Sequence, residues 1–341
     1  MSKLRLIQAG VAGYGKGWAT RSVPQSPDFE HAALVDLNPV TLHAVGEQLG
    51  VPPARRFTQL ADAIAAVPAD ALLTVTPPSV HLEHARLAFA AGLHVMTEKP
   101  LADTIASSRA MVELARQADR QLLVAQNYRY AKIPAHLRSL IAAERVGAVG
   151  HGHIDFYIPA DFTGTFREAM PHVLLVDMAI HHVDLLRYLT GRNVVAVFAQ
   201  TFRPPWSWYQ HNPGLKMMLT LEGNIPFTYS GDWSACGRNT SWNGDWRIQC
   251  AGGSLHWSYD RLSIARSSRG FQDDTAIEDV AVPPVERENQ LALLHSFATS
   301  IRTGQPGATS GVDNLQSFGT IMAAVRSAET GATVCVADML A

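Results

Sequence analysis

The chain has 341 residues, of which 17% are charged, and its formal net charge at pH 7 is -2. This length fits two domains, each able to bury a core of its own. The near balance of charge excludes a basic surface for nucleic acid or for an anionic membrane, so we expect a small-molecule partner, no nucleic acid and no membrane.

The first residues, MSKLRLIQAG, run directly into a strand pattern and lack the apolar segment and cleavage site of a signal peptide. No apolar run approaches the roughly 18 residues of a membrane span. The cysteines Cys236, Cys250 and Cys335 show no C-x-x-C spacing and leave one unpaired in any disulfide scheme. That usage is typical of a reducing compartment, so we expect a cytoplasmic protein.

Short apolar runs alternate with amphipathic segments in the first third of the chain. The runs predict strands at residues 4–7, 32–35, 71–75, 94–96 and 122–124. Between them lie helical patterns such as residues 80–91, where apolar side chains recur at i, i+3 and i+7. This rhythm predicts an α/β fold, with residues 1–124 as an N-terminal Rossmann domain built on a doubly wound parallel sheet.

The rhythm changes after residue 124. Residues 146–158 and 194–257 contain longer strand-like runs separated by Gly, Asn and Pro turns, and helical patterns lie near residues 174–190, 286–303 and 311–330. We therefore expect residues 125–341 to form a C-terminal α+β domain with a large, mostly antiparallel sheet.

The segment QAGVAGYGKG follows the first predicted strand and precedes a predicted helix. Glycines in that setting let the backbone approach a pyrophosphate at the helix N-terminus. The spacing Gly10-x-Ala12-x-x-Gly15 departs from G-x-G-x-x-G at its middle position, and Gly13 can compensate. Alone the motif is weak, because a glycine-rich turn from strand to helix can be only a turn.

Asp36 supports the dinucleotide interpretation. It closes the second predicted strand, where an acidic side chain can accept hydrogen bonds from an adenosine ribose. A carboxylate there would repel a 2'-phosphate, so NAD is favoured, with NADP as the other option. The alternative is that Asp36 merely caps the turn at Asn38 and Pro39.

The strand predicted at residues 71–75 leads into TVTPPSVHLEHA, and the strand predicted at residues 94–96 leads into HVMTEKPLAD. Prolines stop both strands at the carboxyl edge of the sheet, where ligands of open α/β sheets bind. His81 and His84 begin the helix after the first of these loops. Taken singly, they are more typical of ordinary helix positions than of functional ones.

The segments TPPSVHLEHARLAFAAGLHVMTEKPLA and DMAIHHVDLLRYLTG, together with the glycine turn, resemble the Gfo/Idh/MocA family of oxidoreductases. The resemblance spans nearly the whole chain, and the EKP segment is its most specific element. It implies that Lys99 is catalytic and that Glu98 and Pro100 shape its loop, with a cis Lys99-Pro100 bond as one arrangement. The bland alternative is a surface ion pair between Glu98 and Lys99.

A catalytic role for Lys99 is chemically reasonable. Oxidising an alcohol carbon requires removal of the hydroxyl proton as well as the hydride, and a partly desolvated lysine can relay that proton. The expected cofactor contacts are Gly10, Ala12, Gly13, Tyr14, Gly15, Asp36, Thr76, Pro77, His81, Glu98 and Lys99.

The second expected site lies in LVDMAIHHVDLLRYLTG. If this segment is helical, Asp177, His181 and Asp184 fall at i, i+4 and i+7 on one face. The resemblance implies that His181 accepts the proton and contacts the substrate hydroxyl, while Asp177 binds substrate or orients the imidazole. The doublet leaves His182 as an alternative, and a solvated polar face is the plain alternative for all three.

Arg129 lies in an N-x-R element that resembles one lining the cleft of the family. It could bind a substrate oxygen or form a salt bridge between the domains. The expected catalytic residues are thus Lys99, His181 and Asp177, and the expected substrate contacts are Arg129, Asp177, His181 and His182.

A metal site is a further alternative. His151, His153 and Asp155 share one face of a strand and could join His181 and His182, but a polar strand face is the simpler account, so we expect no metal. Six of the seven tryptophans fall between residues 206 and 257, where packing or an interface is favoured over sugar contacts.

These features predict an NAD(P)-dependent oxidoreductase. The resemblance implies that residues 125–341 bind the substrate and join copies of the chain, and that the hydride moves between the cofactor and a sugar, cyclitol or related polyhydroxylated small molecule. We expect a homodimer or homotetramer formed through the C-terminal sheet. The alternatives are a non-catalytic dinucleotide- or sugar-binding regulator, and a lyase or hydrolase that uses NAD in an internal redox cycle.

Overall fold

The structure is a computed structural model that describes residues 2–266 and 276–341. Within the chain, two compact units are distinguished by their internal contacts. Unit 1 contains Met1–Tyr130 and Glu286–Leu315, and unit 2 contains Ala131–Val285 and Gln316–Ala341. The domain boundary that we expect from the sequence, between residues 124 and 125, remains untested by this division into units.

The strands form two separate sheets. In chain order they are β1 (Leu4–Ala9), β2 (Phe29–Val35), β3 (Arg56–Phe57), β4 (Ala71–Thr74), β5 (His94–Thr97), β6 (Leu122–Val124), β7 (Val149–Tyr157), β8 (Val194–Phe202), β9 (Gly214–Leu221), β10 (Ile225–Asp232), β11 (Asp245–Cys250), β12 (Gly253–Ser258), β13 (Arg261–Arg266), β14 (Ile277–Val280) and β15 (Val334–Cys335). The first six belong to unit 1 and the rest to unit 2.

The α-helices described are α1 (Gly13–Gly17), α2 (Val23–Gln25), α3 (Pro39–Leu49), α4 (Leu60–Ala66), α5 (His81–Ala90), α6 (Ile105–Ala118), α7 (Lys132–Ala142), α8 (Ile180–Thr190), α9 (Asn289–Thr303), α10 (Gly311–Thr330) and α11 (Val336–Leu340). Four of them, α5, α8, α9 and α10, lie within segments that the sequence predicts to be helical. Two π-helical turns, Trp18–Ser22 and Leu174–Ala179, adjoin α1 and α8.

The sheet of unit 1 is fully parallel and has the order β3-β2-β1-β4-β5-β6. The strand order reverses between β1 and β4, which is the point where doubly wound sheets bind ligands at their carboxyl edge. The expected Rossmann fold is confirmed. The glycine turn follows β1 and the double-proline loop follows β4, so both lie at this point.

Two hydrophobic clusters cover opposite faces of the first sheet, which is why its strands read as nearly continuous apolar runs. Leu72 and Val95 pack with helix residues such as Phe89 and Met111. Leu73 and Met96, the next residues along the same strands, pack with a second group that includes Phe297 of α9. Helix α9 therefore completes unit 1, although it lies far along the chain.

Among the described residues, the sheet of unit 2 has nine strands in the order β14-β13-β12-β11-β7-β10-β9-β8-β15. All its pairs are antiparallel except β10 with β7. The expected α+β region with a large, mostly antiparallel sheet is confirmed. Helices α7 and α8 precede most of its strands.

One face of this second sheet carries exposed side chains in register. Phe198 lies opposite Met218, Met218 opposite Thr228, and Thr228 opposite His153. Phe198 is 43% exposed and Met218 is 56% exposed. In residues 2–266 and 276–341, helices with the length and hydropathy of a membrane span are absent.

Candidate active site

The glycine turn after β1 is closely packed. Gly10 has φ +85, and a Cβ on it would lie 2.3 Å from the carbonyl oxygen of Val75. A Cβ on Gly15 would lie 2.3 Å from the carbonyl oxygen of Gly10. The Gln8 side chain donates to the carbonyls of Gly10 and Gly15 at 3.0 and 2.8 Å. Only glycine fits at these two positions, as a dinucleotide turn requires.

Asp36 holds the same turn from the end of β2. Its Oδ2 accepts hydrogen bonds from the backbone N–H groups of Val11 and Ala12 at 2.9 and 3.2 Å, and its Oδ1 accepts one from Asn38 at 2.9 Å. Because a carboxylate offers about four acceptor positions, a ribose hydroxyl can still bind there. Asp36 thus closes the Asn38 turn and also faces the glycine loop.

The turn leaves room for a pyrophosphate. Ala12, Gly13 and Tyr14 are exposed, and a Cβ on Gly13 would meet nothing within 4 Å. The phenol of Tyr14 accepts a hydrogen bond from the Gln290 amide at 2.9 Å. Close backbone packing at Gly10 and Gly15, open space at Gly13 and the Asp36 carboxylate together fit a dinucleotide.

His81 joins the loops that follow β4 and β5. Its side chain is fully buried, with Nε2 2.9 Å from the Thr76 carbonyl and Nδ1 2.8 Å from the Thr97 hydroxyl. Burial lowers the pKa of His81, which favours the neutral ring. In the neutral form, Nε2–H donates to the Thr76 carbonyl, and Nδ1 faces the Thr97 hydroxyl. His81 therefore shapes the site by linking the loops, and the neighbouring Pro77 is exposed.

Glu98 is a buried carboxylate beside the expected catalytic lysine. It is 8% exposed, its Oε1 accepts from the Trp18 indole N–H at 2.8 Å, and its Oε2 accepts from the backbone N–H of Lys99 at 3.1 Å. Lys99 is half-buried, and the Lys99-Pro100 bond is cis. Sequence reasoning did not identify Trp18, which is only 2% exposed.

In unit 2, Asp177 forms an ion pair that sequence reasoning also missed. Arg167 donates from Nε to Oδ2 at 2.7 Å and from Nη2 to Oδ1 at 3.4 Å. The Cζ of Arg167 lies over the rings of Phe162 and Phe166, at 5.2 and 4.7 Å from their centroids. Asp177 therefore lies beside an arginine and an aromatic wall.

The His181-His182 doublet at the start of α8 divides into two environments. His181 is 7% exposed, whereas His182 is completely buried. His182 Nδ1 lies 3.0 Å from the Tyr229 hydroxyl, and its ring centroid is 5.1 Å from that of Phe156. Desolvation lowers the pKa of His182 to about 3, so its ring is neutral at ordinary pH. His182 belongs to the aromatic core of unit 2.

The remaining polar residues of these motifs have structural partners. Asp184 accepts from the Ser317 hydroxyl at 2.8 Å, and Ser317 accepts from Arg187 at 2.7 Å. Arg129 pairs with Asp313 at 2.7 Å and donates to the Ala308 carbonyl at 2.9 Å, all within unit 1. This ion pair does not bridge the two units.

The residues weighed as a metal site lie on the exposed sheet face. His153 Nε2 is 3.8 Å from Asp155 Oδ2. Across residues 2–266 and 276–341, groupings of three or more His, Cys, Asp or Glu suited to a metal ion are absent.

Of the six late tryptophans, Trp233, Trp246 and Trp257 are buried, while the others are exposed by 36% to 58%.

Known proteins resemble this chain over most of its length. Residues 7–126 match the model of an oxidoreductase family with an NAD-binding Rossmann fold, and residues 135–256 match a GFO/IDH/MocA C-terminal domain. The chain is 26% identical to a D-apiose dehydrogenase of Rhizobium rhizogenes, with 91% of each chain aligned. It is 28% identical to an inositol 2-dehydrogenase of Corynebacterium glutamicum over 66% of each chain.

Solved structures share the fold. An oxidoreductase from Agrobacterium radiobacter in complex with NAD+, L-tartaric acid and magnesium superposes with a TM-score of 0.88 at 21% identity, covering 99% of this chain and 100% of that one. An aldose-aldose oxidoreductase from Caulobacter crescentus superposes with a TM-score of 0.84 at 23% identity, covering 98% and 100%.

Proposed function

The chain belongs to the GFO/IDH/MocA family of NAD-binding oxidoreductases, and from this premise we propose that it is a dehydrogenase or reductase of a sugar, cyclitol or related polyhydroxylated small molecule. The substrate class is supported by relatives named D-apiose dehydrogenase, inositol 2-dehydrogenase and 1,5-anhydro-D-fructose reductase. The single observation that carries the assignment is the Lys99 loop, because it lies at the carboxyl edge of a sheet whose glycine turn fits a dinucleotide.

We propose that the predicted cofactor residues build the site in two ways, some by contact with the cofactor and others by holding its loops. Gly10, Gly13 and Gly15 receive the pyrophosphate, and Asp36 receives a ribose hydroxyl, which supports NAD over NADP. NAD bound by these residues would supply the acceptor for the hydride of the carbinol carbon, and its reduced form would supply the hydride for the reverse reaction. His81 and Glu98 act by fixing the loops, while Thr76, Pro77, Ala12 and Tyr14 border the site.

Side chains of the protein must carry out the transfer of the substrate's hydroxyl proton. Lys99 is proposed to take the hydroxyl proton or relay it, and His181 to accept it and hold the substrate hydroxyl. We assign this role to His181 rather than His182, because the latter is fully buried against Tyr229. Asp177, already fixed by Arg167, is proposed to bind a substrate hydroxyl or orient His181. The meeting of Lys99 with His181 stays a prediction.

Two further properties belong to the proposal. We propose that copies of the chain form a homodimer or homotetramer through the exposed face of the nine-stranded sheet, because Phe198 and Met218 present apolar side chains there. A cytoplasmic location is supported by the three cysteines, none of which forms a disulfide.

A screen of sugars, cyclitols and polyols with NAD and NADP tests the function, read as absorbance of the reduced nicotinamide. Growth of that absorbance identifies a dehydrogenase. Product formed without it would indicate an internal redox cycle, and the absence of any product would indicate a regulator.

Lys99→Ala then tests the mechanism on the substrate so found. We expect turnover to be abolished while NAD affinity, followed by fluorescence titration, stays largely intact. Lys3→Ala, a change at an exposed lysine, is the matched control and should keep wild-type turnover. A fully active Lys99→Ala variant would refute the proposed role.

A further inference from the structure

Arg167 contacts Asp177 through one edge of its guanidinium. The atoms that bind the carboxylate are Nε, at 2.7 Å from Oδ2, and Nη2, at 3.4 Å from Oδ1. A guanidinium has a second edge, formed by Nη1 and Nη2, whose parallel N–H donors also match a carboxylate. The Asp177 pair therefore leaves the end edge of Arg167 available to another acceptor.

The described residues do not supply that acceptor. In residues 2–266 and 276–341, Nη1 of Arg167 has no hydrogen-bond partner, and Asp177 is the one carboxylate paired with this side chain. The Arg167 side chain is 31% exposed, so a small molecule can reach it. An arginine held on one edge and open on the other is a preorganised anion site.

The surrounding rings strengthen this arrangement. Phe162 and Phe166 lie within 5.2 Å of the guanidinium carbon, and cation–π contacts of this kind hold an arginine in place. Phe166 is 67% exposed, so its ring borders the guanidinium and is accessible to a small molecule. The ring and the open donor edge together suit a small molecule with an apolar ring or chain face and an anionic group.

We propose that Arg167 is a specificity-determining residue that binds a carboxylate of the substrate, so that the preferred substrates are sugar acids. The proposal rests on the function given above, because it requires Asp177 to border the substrate. The substrate carboxylate receives two parallel N–H donors from the end edge, and a neutral sugar has no group of matching charge.

Matched acid and neutral pairs test this assignment. The probes are D-glucuronate with D-glucose, D-galacturonate with D-galactose, and D-gluconate with D-glucitol, each assayed with NAD and NADP. For wild-type protein we expect the acid of at least one pair to have the higher kcat/KM. The ratio of acid to neutral is the readout, because any general loss of Asp177 positioning affects both members and cancels.

Arg167→Gln should lower that ratio by about 10- to 100-fold, the usual effect of losing hydrogen bonds to a charged group. The loss should fall mainly on KM. Arg167→Lys retains the charge without the paired donors, so it should keep part of the preference, and it carries the test if the Gln variant does not fold. Arg238→Gln, at an exposed arginine elsewhere in unit 2, should leave the ratio unchanged.

The proposal is overturned if the wild-type protein oxidises the neutral members without preferring the acids, or if Arg167→Gln leaves the ratio as it was. In either case the oxidoreductase function itself stands, because turnover is still seen. Lack of turnover on every probe with both cofactors, combined with lack of D-glucuronate binding in a calorimetric titration, removes the specificity proposal and counts against the sugar substrate class as well.

Discussion

At the scale of single residues, the Glu98 carboxylate and its contact with Trp18 hold the loop that carries Lys99. A buried carboxylate costs free energy unless donors surround it. The indole N–H of Trp18 is one donor, and the backbone N–H of Lys99 is another. Trp18 therefore positions the backbone of the catalytic candidate through Glu98, without needing to touch the substrate.

Trp18→Phe keeps an aromatic ring but removes the N–H. We expect the free energy of unfolding to fall by about 1–3 kcal/mol, because a buried charged acceptor loses a donor. We also expect kcat to fall, because the Lys99 loop is held less firmly. Urea unfolding and steady-state assays of the variant measure the two effects.

Trp246→Phe is the matched control, since its N–H donates to the neutral carbonyl of Asn243 at 2.8 Å. It should cost less than Trp18→Phe. Adding Glu98→Gln to the Trp18→Phe variant should cost less than it does in the wild-type protein, because the interaction between them is already lost. Additive costs would show that Glu98 and Trp18 act independently.

The sequence predicted some of these residues and not others for a definite reason. Asp36 and Lys99 stand at the ends of strands, and their motifs can be read locally. Trp18 and Arg167 gain their roles from partners that the fold brings near, Glu98 in the first case and Asp177 in the second. Nothing in the spacing of the sequence marks those pairs.

At the scale of elements, the glycine turn between β1 and α1 is the most constrained connection of unit 1. Gly10 combines a positive φ with a close approach to Val75, whereas Gly50 at the end of α3 has φ +65 and open space around it. Alanine substitutions at Gly10 and Gly50 therefore distinguish the cost of backbone strain, which both share, from the cost of a steric clash, which only Gly10 adds.

Gly10→Ala should destabilise unit 1 by more than Gly50→Ala. The latter adds only the strain of a left-handed conformation, roughly 1–2 kcal/mol, while the former also drives a methyl group into a carbonyl. Gly10→Ala should in addition abolish NAD binding. Urea unfolding and a titration that follows NADH fluorescence provide the measurements, and equal losses in both variants would contradict the packing argument.

The elements themselves were largely predictable. Residues 286–303 and 311–330 were expected to be helical, and α9 and α10 confirm this. The segment 174–190 is helical too, but Leu174–Ala179 is π-helical, so the regular spacing expected from Asp177 to Asp184 does not hold. The two-residue strand β3 was missed, because an edge strand this short has no periodicity to read.

At the scale of the whole molecule, buried histidines make stability depend on pH. Burial lowers the pKa of His31 and His84 to about 4 and that of His182 to about 3, and it lowers the pKa of His81 as well. Above the unfolded-state pKa of about 6.5, neither state binds these protons. Below it the unfolded chain takes them up while the folded chain does not.

The free energy of unfolding should therefore fall as the pH drops from about 6.5 towards 4, by up to about 1.4 kcal/mol per pH unit for each such histidine. His182→Phe should reduce that slope by about one proton, whereas His211→Gln, at an exposed position, should not. Urea titrations over this range measure the slope. If the slope is the same in His182→Phe as in the wild-type protein, the His182 ring of the folded wild-type protein is already protonated.

The proposed association of copies of the chain can be tested at the exposed sheet face of unit 2. Met218→Asp places a charge on the exposed sheet face, and we expect it to reduce the proposed homodimer or homotetramer to the mass of one chain, 37.0 kDa, measured by light scattering. Val312→Asp, at an equally exposed apolar position on α10, should leave the mass as it is in the wild type. Loss of assembly in the control alone would locate the interface elsewhere.

The discontinuity of unit 1 has a consequence for biosynthesis. One of its cores joins Leu6 and Phe29 with Leu293 and Phe297, and Asp28 forms ion pairs with His295 and Arg302. A ribosome must therefore extrude β1 through β6 long before α9 emerges to cover them. During that interval the nascent sheet exposes an apolar face, so chaperone contact with the growing chain should concentrate there and end when α9 is released.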